Sequence, residues 1–166
     1  ASNPLLTAEE ANAEAWNQGR ALLQRAVAEH LTFAFETTLG GKTIAALLEK
    51  ALDAGIEVRV WYAGLSSPEL HIARVKARVA KGGHPIPDEK IIQRYDGGRR
   101  NLIRLLPRFT DLLLYDNSAE ADPTTGAAPT PILVLHMHNG KIVSSSELHL
   151  IPECAKPIVV VAMGQP

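Results

Sequence analysis

Cysteine is nearly absent from this sequence. Cys154 is the one thiol in 166 residues, so no internal disulfide can form, and a disulfide-stapled secreted scaffold is excluded. Aromatic residues are scarce, at 5% of the chain, and the longest apolar run near the C-terminus, "IVVVAM", is far too short to span a bilayer. No basic stretch leads into an apolar one at the start, so the expectation is a soluble cytoplasmic protein with no membrane partner. There is also no excess of charge of one sign. The formal net charge is -1, so an argument for a polyanionic partner has to be local.

What is present is the material of a core. With 46% hydrophobic and 21% charged residues, the chain suits one compact domain over residues 1–166. Thr7-Ala8-Glu9-Glu10 has the form of a capping box and opens a helix to about His30, with Ala11, Ala15, Leu22, Ala26 and Val27 as its buried stripe. "LTFAFE" has the character of a buried strand ending on Glu36. Ile44, Leu47, Leu48, Ala51 and Leu52 repeat at helical spacing as far as Gly55, and "IEVRVWYAGL" suits a strand in the middle of a sheet. Strand, helix, strand predicts a right-handed βαβ unit and an α/β fold. Ser67-Pro68-Glu69 starts a helix to about Lys81, ended by Gly82-Gly83, and "HPIPDEK" starts another. "DLLLYD" is a third strand and residues 119–131 are a loop. "ILVLHMH" and "KIVSSSE", joined by Asn139-Gly140, make a hairpin over 132–147.

Charge is segregated within the chain. Between His71 and Arg108 stand ten of the seventeen Lys and Arg residues, against three acids, Asp88, Glu89 and Asp96. His71, Arg74, Arg78 and Lys81 fall on one helical face, which aims several cations at one place. Salt bridges to Glu69 and Asp88 would make this an ordinary solvated face. Uncompensated cations at the carboxyl ends of parallel strands would suit phosphate oxygens, whose charge phosphoryl transfer must stabilise. A nucleic-acid backbone would ask for a similar stripe.

"FETTLGGKT" ends like a phosphate-binding loop, but the leading glycine of Gly-x4-Gly-Lys-Thr would fall on Glu36, whose carboxylate would repel a phosphate. His136 and His138 share a strand face and could chelate a metal with His149, although no further ligand is placed by the sequence, and no metal site is assigned. Trp16, Trp61, Tyr95 and Tyr115 are read as core. No serine sits in a nucleophile elbow.

Taken together, "FAFETTLGGKT", "GIEVRVWYAGLSSPELHIARVKARVAKGGHPIPDEKIIQRY", "RRNLIRLLP" and "LLLYDNS" resemble, in order and spacing, the small zeta-toxin-like P-loop kinases of bacteria, over about Thr7 to Ser118. The resemblance implies a P-loop-kinase-like parallel sheet flanked by helices, with residues 7–118 as the core of a single zeta-toxin-like domain. It also implies an ATP-dependent, Mg²⁺-assisted phosphotransferase acting on a small-molecule hydroxyl, with a nucleotide sugar as the substrate type and an antitoxin protein as a possible partner. By position, Glu36, Thr37 and Thr38 correspond to the substrate-binding strand end. Arg74 and Arg78 correspond to nucleotide-binding arginines, and Gly82-Gly83-His84 to the lid. His84 stands where distant relatives have a second phosphate-binding arginine, and Arg94, Arg99 and Arg100 are lid or surface candidates.

The family's Walker A loop and the acidic element carrying its catalytic base are expected before Thr7, where this sequence has Ala1-Ser2-Asn3-Pro4-Leu5-Leu6. "AKPIVVVAMGQP" looks like the family's first strand running into a phosphate loop at Gly164. Residues 157–163 are therefore read either as a permuted first strand or as an ordinary C-terminal edge strand. A non-catalytic relative that binds nucleotide or a protein partner is the alternative to a kinase, and a nucleic-acid binder is the third reading.

Overall fold

A computed structural model describes residues 7–120 and 129–164. The expected loop 119–131 lies in large part outside these residues, as do Ala1 to Leu6.

Helix α1 (Ala8–Glu29) begins where the capping box predicts. The Thr7 hydroxyl accepts from the Glu10 amide, and the Glu10 carboxylate accepts from the Thr7 amide at 2.8 Å. Its buried face is narrower than expected. Leu23 and Ala26 are buried, whereas Leu22 and Ala15 are exposed and Trp16 lies on the surface beside Arg20. Helix α2 (Lys42–Asp53) buries Ala45, Leu47, Leu48 and Ala51 at helical spacing. Strand β1 (Arg59–Gly64) leads to α3 (Pro68–Val79), capped by the Ser67 hydroxyl with proline in the first turn. Gly82, at φ +88°, turns the chain beyond α3. Helix α4 (Asp88–Leu105) then carries the chain back to β2 (Asp111–Asp116). The hairpin is β3 (Ile132–His138) and β4 (Lys141–Ser145), and Asn139 and Gly140 take the positive φ values, 48° and 74°, that a type I′ turn demands.

The sheet has the order β1-β2-β3-β4. Strands β1 and β2 are parallel, and the other pairs are antiparallel. The protein is thus mixed α/β with an open, mixed sheet. Its core centres on Leu102, Leu105, Leu106 and Phe109 at the end of α4, Leu112 and Leu114 of β2, Leu135 and Met137 of β3, and Ile158 and Val159.

Two expected strands are not strands. Residues 31–36 form no strand and do not join the sheet, so the first strand of the expected βαβ unit is missing and the parallel pair is made across α3 and α4 instead. Leu31, Phe33 and Phe35 are exposed, the two phenylalanines stacking on each other at 5.9 Å. Strand β1 consequently ends the sheet among the described residues, and Trp61, expected in the core, is 81% exposed.

The second correction is at the C-terminus. Residues 157–163 belong to a helix, α5 (Lys156–Met163), which excludes both the permuted first strand and the edge strand. Pro157 sits in the first turn, where its missing N–H costs nothing. Ile158, Val159 and Ala162 then reach the core from one helical face, so packing overrides the β-branched preference of "IVVV". Among the described residues no helix is long and apolar enough to cross a membrane.

At the amino end of β2, His136 Nε2 and His138 Nδ1 both donate to Asp111 Oδ1, at 3.0 and 3.3 Å. The first of these bonds, more than the second, holds the Asp111 carboxyl below the usual carboxylate range. A depressed folded-state pKa stabilises the fold above the unfolded value, and the contribution is lost as pH falls through the folded one, below about pH 4. Asp111→Asn should therefore flatten the fall in stability between about pH 4 and pH 2. Urea unfolding at several pH values measures this, and parallel curves for the two proteins would contradict it.

Candidate functional site

The carboxyl ends of β1 and β2 lie level, Gly64 opposite Asp116, and the segments leaving them are tied together by polar contacts. The Asn117 amide donates to Gly64 O at 2.9 Å and the Ser66 amide to Ser118 Oγ at 2.7 Å. Asp116 Oδ1 accepts from both the Ser118 amide and its hydroxyl. From α4, the Tyr95 hydroxyl donates to Ser66 O at 3.2 Å. The result is a rigid crest at the end of a parallel strand pair, the place where open α/β sheets bind ligands.

Arg74 reaches this crest from α3. Its Nη1 donates to Asn117 O and its Nη2 to Ala119 O, each at 2.8 Å, with N–H groups to spare on a five-donor guanidinium. One turn further along α3, Arg78 donates to His84 O at 3.3 Å, which holds the Gly82-Gly83-His84 segment against the helix end. Arg74, Ala77, Arg78, Lys81, Gly82 and Gly83 line an open groove of about 500 Å³. Gly83 is required there, since a Cβ would stand 2.7 Å from Arg78 Cγ and 2.9 Å from its carbonyl oxygen.

The basic segment divides into two groups. Lys76 pairs with Asp88 at 3.2 Å, Arg104 with Glu49, and Arg108 with Asp53 at 2.6 Å, the last two joining the α4 end of the segment to α2. Arg74, Arg78, Lys81, Lys90, Arg94, Arg99 and Arg100 have no carboxylate partner among the described residues. The solvated-face reading therefore holds for the first group alone. The uncompensated cations include all three that line the groove.

Beside the crest Arg99, Tyr95, Tyr62 and His71 form an aromatic and cationic cluster. Arg99 lies over the Tyr95 ring at 5.2 Å, and its Nε is buried with no hydrogen-bond partner among the described residues. Burial pushes the Tyr62 hydroxyl up to about 12, only partly opposed by nearby Arg99, so it stays protonated. His71 meets the Tyr95 ring edge-on at 5.5 Å, and burial, with Arg74 second, holds its pKa below the ordinary value. At neutral pH it is an uncharged neighbour of Arg74.

The substrate-edge candidates Glu36, Thr37 and Thr38 are exposed, and Thr37 Oγ1 accepts from the Leu39 amide at 3.0 Å. They reach α4 through the turn that comes next in the chain. A Cβ on Gly98 would lie 2.7 Å from Thr38 O and 3.3 Å from the Tyr62 hydroxyl, so Thr38, Tyr62 and α4 converge. Arg94 is exposed on α4, its backbone pressed against Gly40. Arg100 bonds the Asp96 carbonyl. Gly164 caps α5, its amide donating to Val160 O and Val161 O, so the strand-then-loop context of a phosphate cradle does not exist there.

His136 and His138 are engaged by Asp111 and His149 faces Glu147. Among the described residues no group of three or more His, Cys, Asp or Glu side chains could hold a metal ion. Asn101 and the Gly97-Gly98 pair, which seat the turn, were missed by sequence reasoning. A glycine pair inside a helical pattern is the signal that could have found them.

The fold and site thus define a mixed α/β protein with a cation-lined groove along the C-terminal half of α3 and the turn after it, joined to the parallel strand ends through Arg74. No family model matches the sequence, and no solved structure matches it. A protein of Haemophilus influenzae, described as "Uncharacterized protein", is 34% identical over 85 residues, 51% of this chain. The match spans 61% of that relative's length.

Proposed function

We propose that this chain carries the substrate and phosphate side of a zeta-toxin-like small-molecule kinase, and that its groove binds the phosphates of a nucleotide or nucleotide sugar. The observation that carries this reading is the sorting of charge. Arg74, Arg78 and Lys81 line one groove of about 500 Å³ along the end of α3 without acidic partners among the described residues, while Lys76, Arg104 and Arg108 of the same segment are neutralised by ion pairs. A free phosphate chain supplies the missing negative charge, and an arginine fork matches its geometry.

ATP fits this donor set through its phosphates. Mg²⁺ would arrive with them, held by phosphate oxygens and water, since a phosphate-bound Mg²⁺ needs few protein ligands. When bound, the nucleotide supplies the phosphoryl group. Arg74, Arg78 and Lys81 would hold its charge, and Glu36, Thr37 and Thr38 would face the hydroxyl-bearing substrate.

A second reading, binding without transfer, has its own support. The acidic side chain at the crest, Asp116, is occupied by Ser118, whose amide and hydroxyl both donate to it. Both readings predict that a double variant, Arg78→Ala with Lys81→Ala, weakens tripolyphosphate binding at least about tenfold in a calorimetric titration, the loss expected for charge-assisted bonds. Arg104→Ala, whose partner is Glu49, should change it less than about twofold, a surface pair being worth little. Equal losses from both, with single-stranded DNA bound in a steeply salt-dependent way, would favour the nucleic-acid reading instead.

A further inference from the structure

The turn Thr37–Gly41 is built in an unusual way. Leu39, a bulky residue, takes φ +52°, a left-handed conformation that costs free energy unless its surroundings impose it. Its side chain is 4% exposed and belongs to the core. The turn lies on α4 with no room between them. A Cβ on Gly97 would stand 2.3 Å from Gly40 O, and one on Gly40 would stand 2.7 Å from Arg94 Cα. One turn beyond the glycine pair, Asn101 Nδ2 donates to Leu39 O at 2.7 Å and to Gly41 O at 3.2 Å. A single side-chain amide thus holds two carbonyls of the strained turn.

We infer that Asn101, with the Gly97-Gly98 seat, is the latch that holds the Thr37–Gly41 turn, and that it is a positioning residue for the Glu36–Thr38 edge. The substrate role of that edge rests on the function proposed above. Residues 31–36 have no ladder to fix them, so the edge takes its place from the turn and from α2 on its C-terminal side. Releasing Leu39 O and Gly41 O would let Leu39 relax out of its left-handed conformation and move Thr38 away from Tyr62 and α4. The groove residues Arg74, Arg78 and Lys81 stand on α3 and the segment after it, and should not move.

The test is amide hydrogen exchange at Leu39, Gly40 and Gly41 in the full chain, for Asn101→Ala and for the isosteric Asn101→Asp, which keeps the shape and removes the donor. Both should exchange about tenfold or more faster there, as expected for the loss of one or two hydrogen bonds, with β1 and β2 amides unchanged within about twofold. In calorimetric titrations, UDP-N-acetylglucosamine should bind at least about tenfold more weakly while Mg·ATP binding holds within about twofold. A uniform loss of stability would not split the two ligands in this way. Unchanged exchange in both variants overturns the latch. Faster exchange with undiminished nucleotide-sugar affinity overturns its positioning role. If the unaltered protein binds no nucleotide sugar, the substrate reading of the edge fails, and the exchange rates still decide the latch.

Discussion

Arg74→Ala should abolish saturable binding of Mg·ATP, weakening it by about a hundredfold or more, and should lower stability as well. The two effects have different sources. Arg74 lines the groove with Arg78 and Lys81, and a guanidinium facing phosphate oxygens is worth about 1.5–3 kcal/mol per charge-assisted bond, so one or two such bonds account for the loss. It also ties α3 to the segment after β2 through Asn117 O and Ala119 O. Losing that tie at a partly solvated site should cost about 1–2 kcal/mol, or a Tm lower by roughly 2–8 °C for a chain of this size. Arg74→Lys separates the contributions. An ammonium keeps the charge but cannot span two carbonyls and a phosphate together, so Lys should recover part of the affinity and little of the stability. Calorimetry and thermal unfolding on the same samples check both, and full affinity in Arg74→Ala would remove this arginine from the site.

The second large effect is on the fold. Gly97→Ala places a Cβ 2.3 Å from Gly40 O and 3.2 Å from Gly40 Cα, backbone atoms that cannot swing aside. Either α4 or the turn must retreat, and the expected cost is about 2–3 kcal/mol, a Tm lower by roughly 4–12 °C. Gly19→Ala is the contrasting control. Gly19 lies inside α1 with nothing within 4 Å of its added Cβ, so there the same substitution should stabilise by about 0.5–1 kcal/mol. A Gly97→Ala protein as stable as its parent would mean that α4 and the turn do not pack as closely as described.

Local chemistry made much of this architecture legible. The Thr7–Glu10 capping box, Ser67-Pro68 and Asn139-Gly140 each specify a backbone conformation within a few residues, and each element starts or turns where they stand. "LTFAFE" and "IVVVAM" are short apolar runs, and such a run does not say whether its partner is a strand or a helix face. One forms no regular element and joins no sheet. The other is a helix because Pro157 starts it and Ile158, Val159 and Ala162 fill the core from one side. The cationic face of α3 could be read from residue spacing. That Arg104 and Arg108 would be taken by Glu49 and Asp53 could not, because those pairs join residues 55 apart in the chain. Asn101 escaped notice for the same reason: its partners, Leu39 and Gly41, lie 62 and 60 positions away.

A groove that binds a phosphorylated small molecule should reveal itself in calorimetric titration of the unaltered protein with Mg·ATP and, separately, with UDP-N-acetylglucosamine. The expected result is saturable binding of at least one of them, lost in Arg74→Ala and retained in Arg104→Ala. Absence of binding to both, or binding that survives Arg74→Ala undiminished, would contradict the phosphate-binding role of the groove.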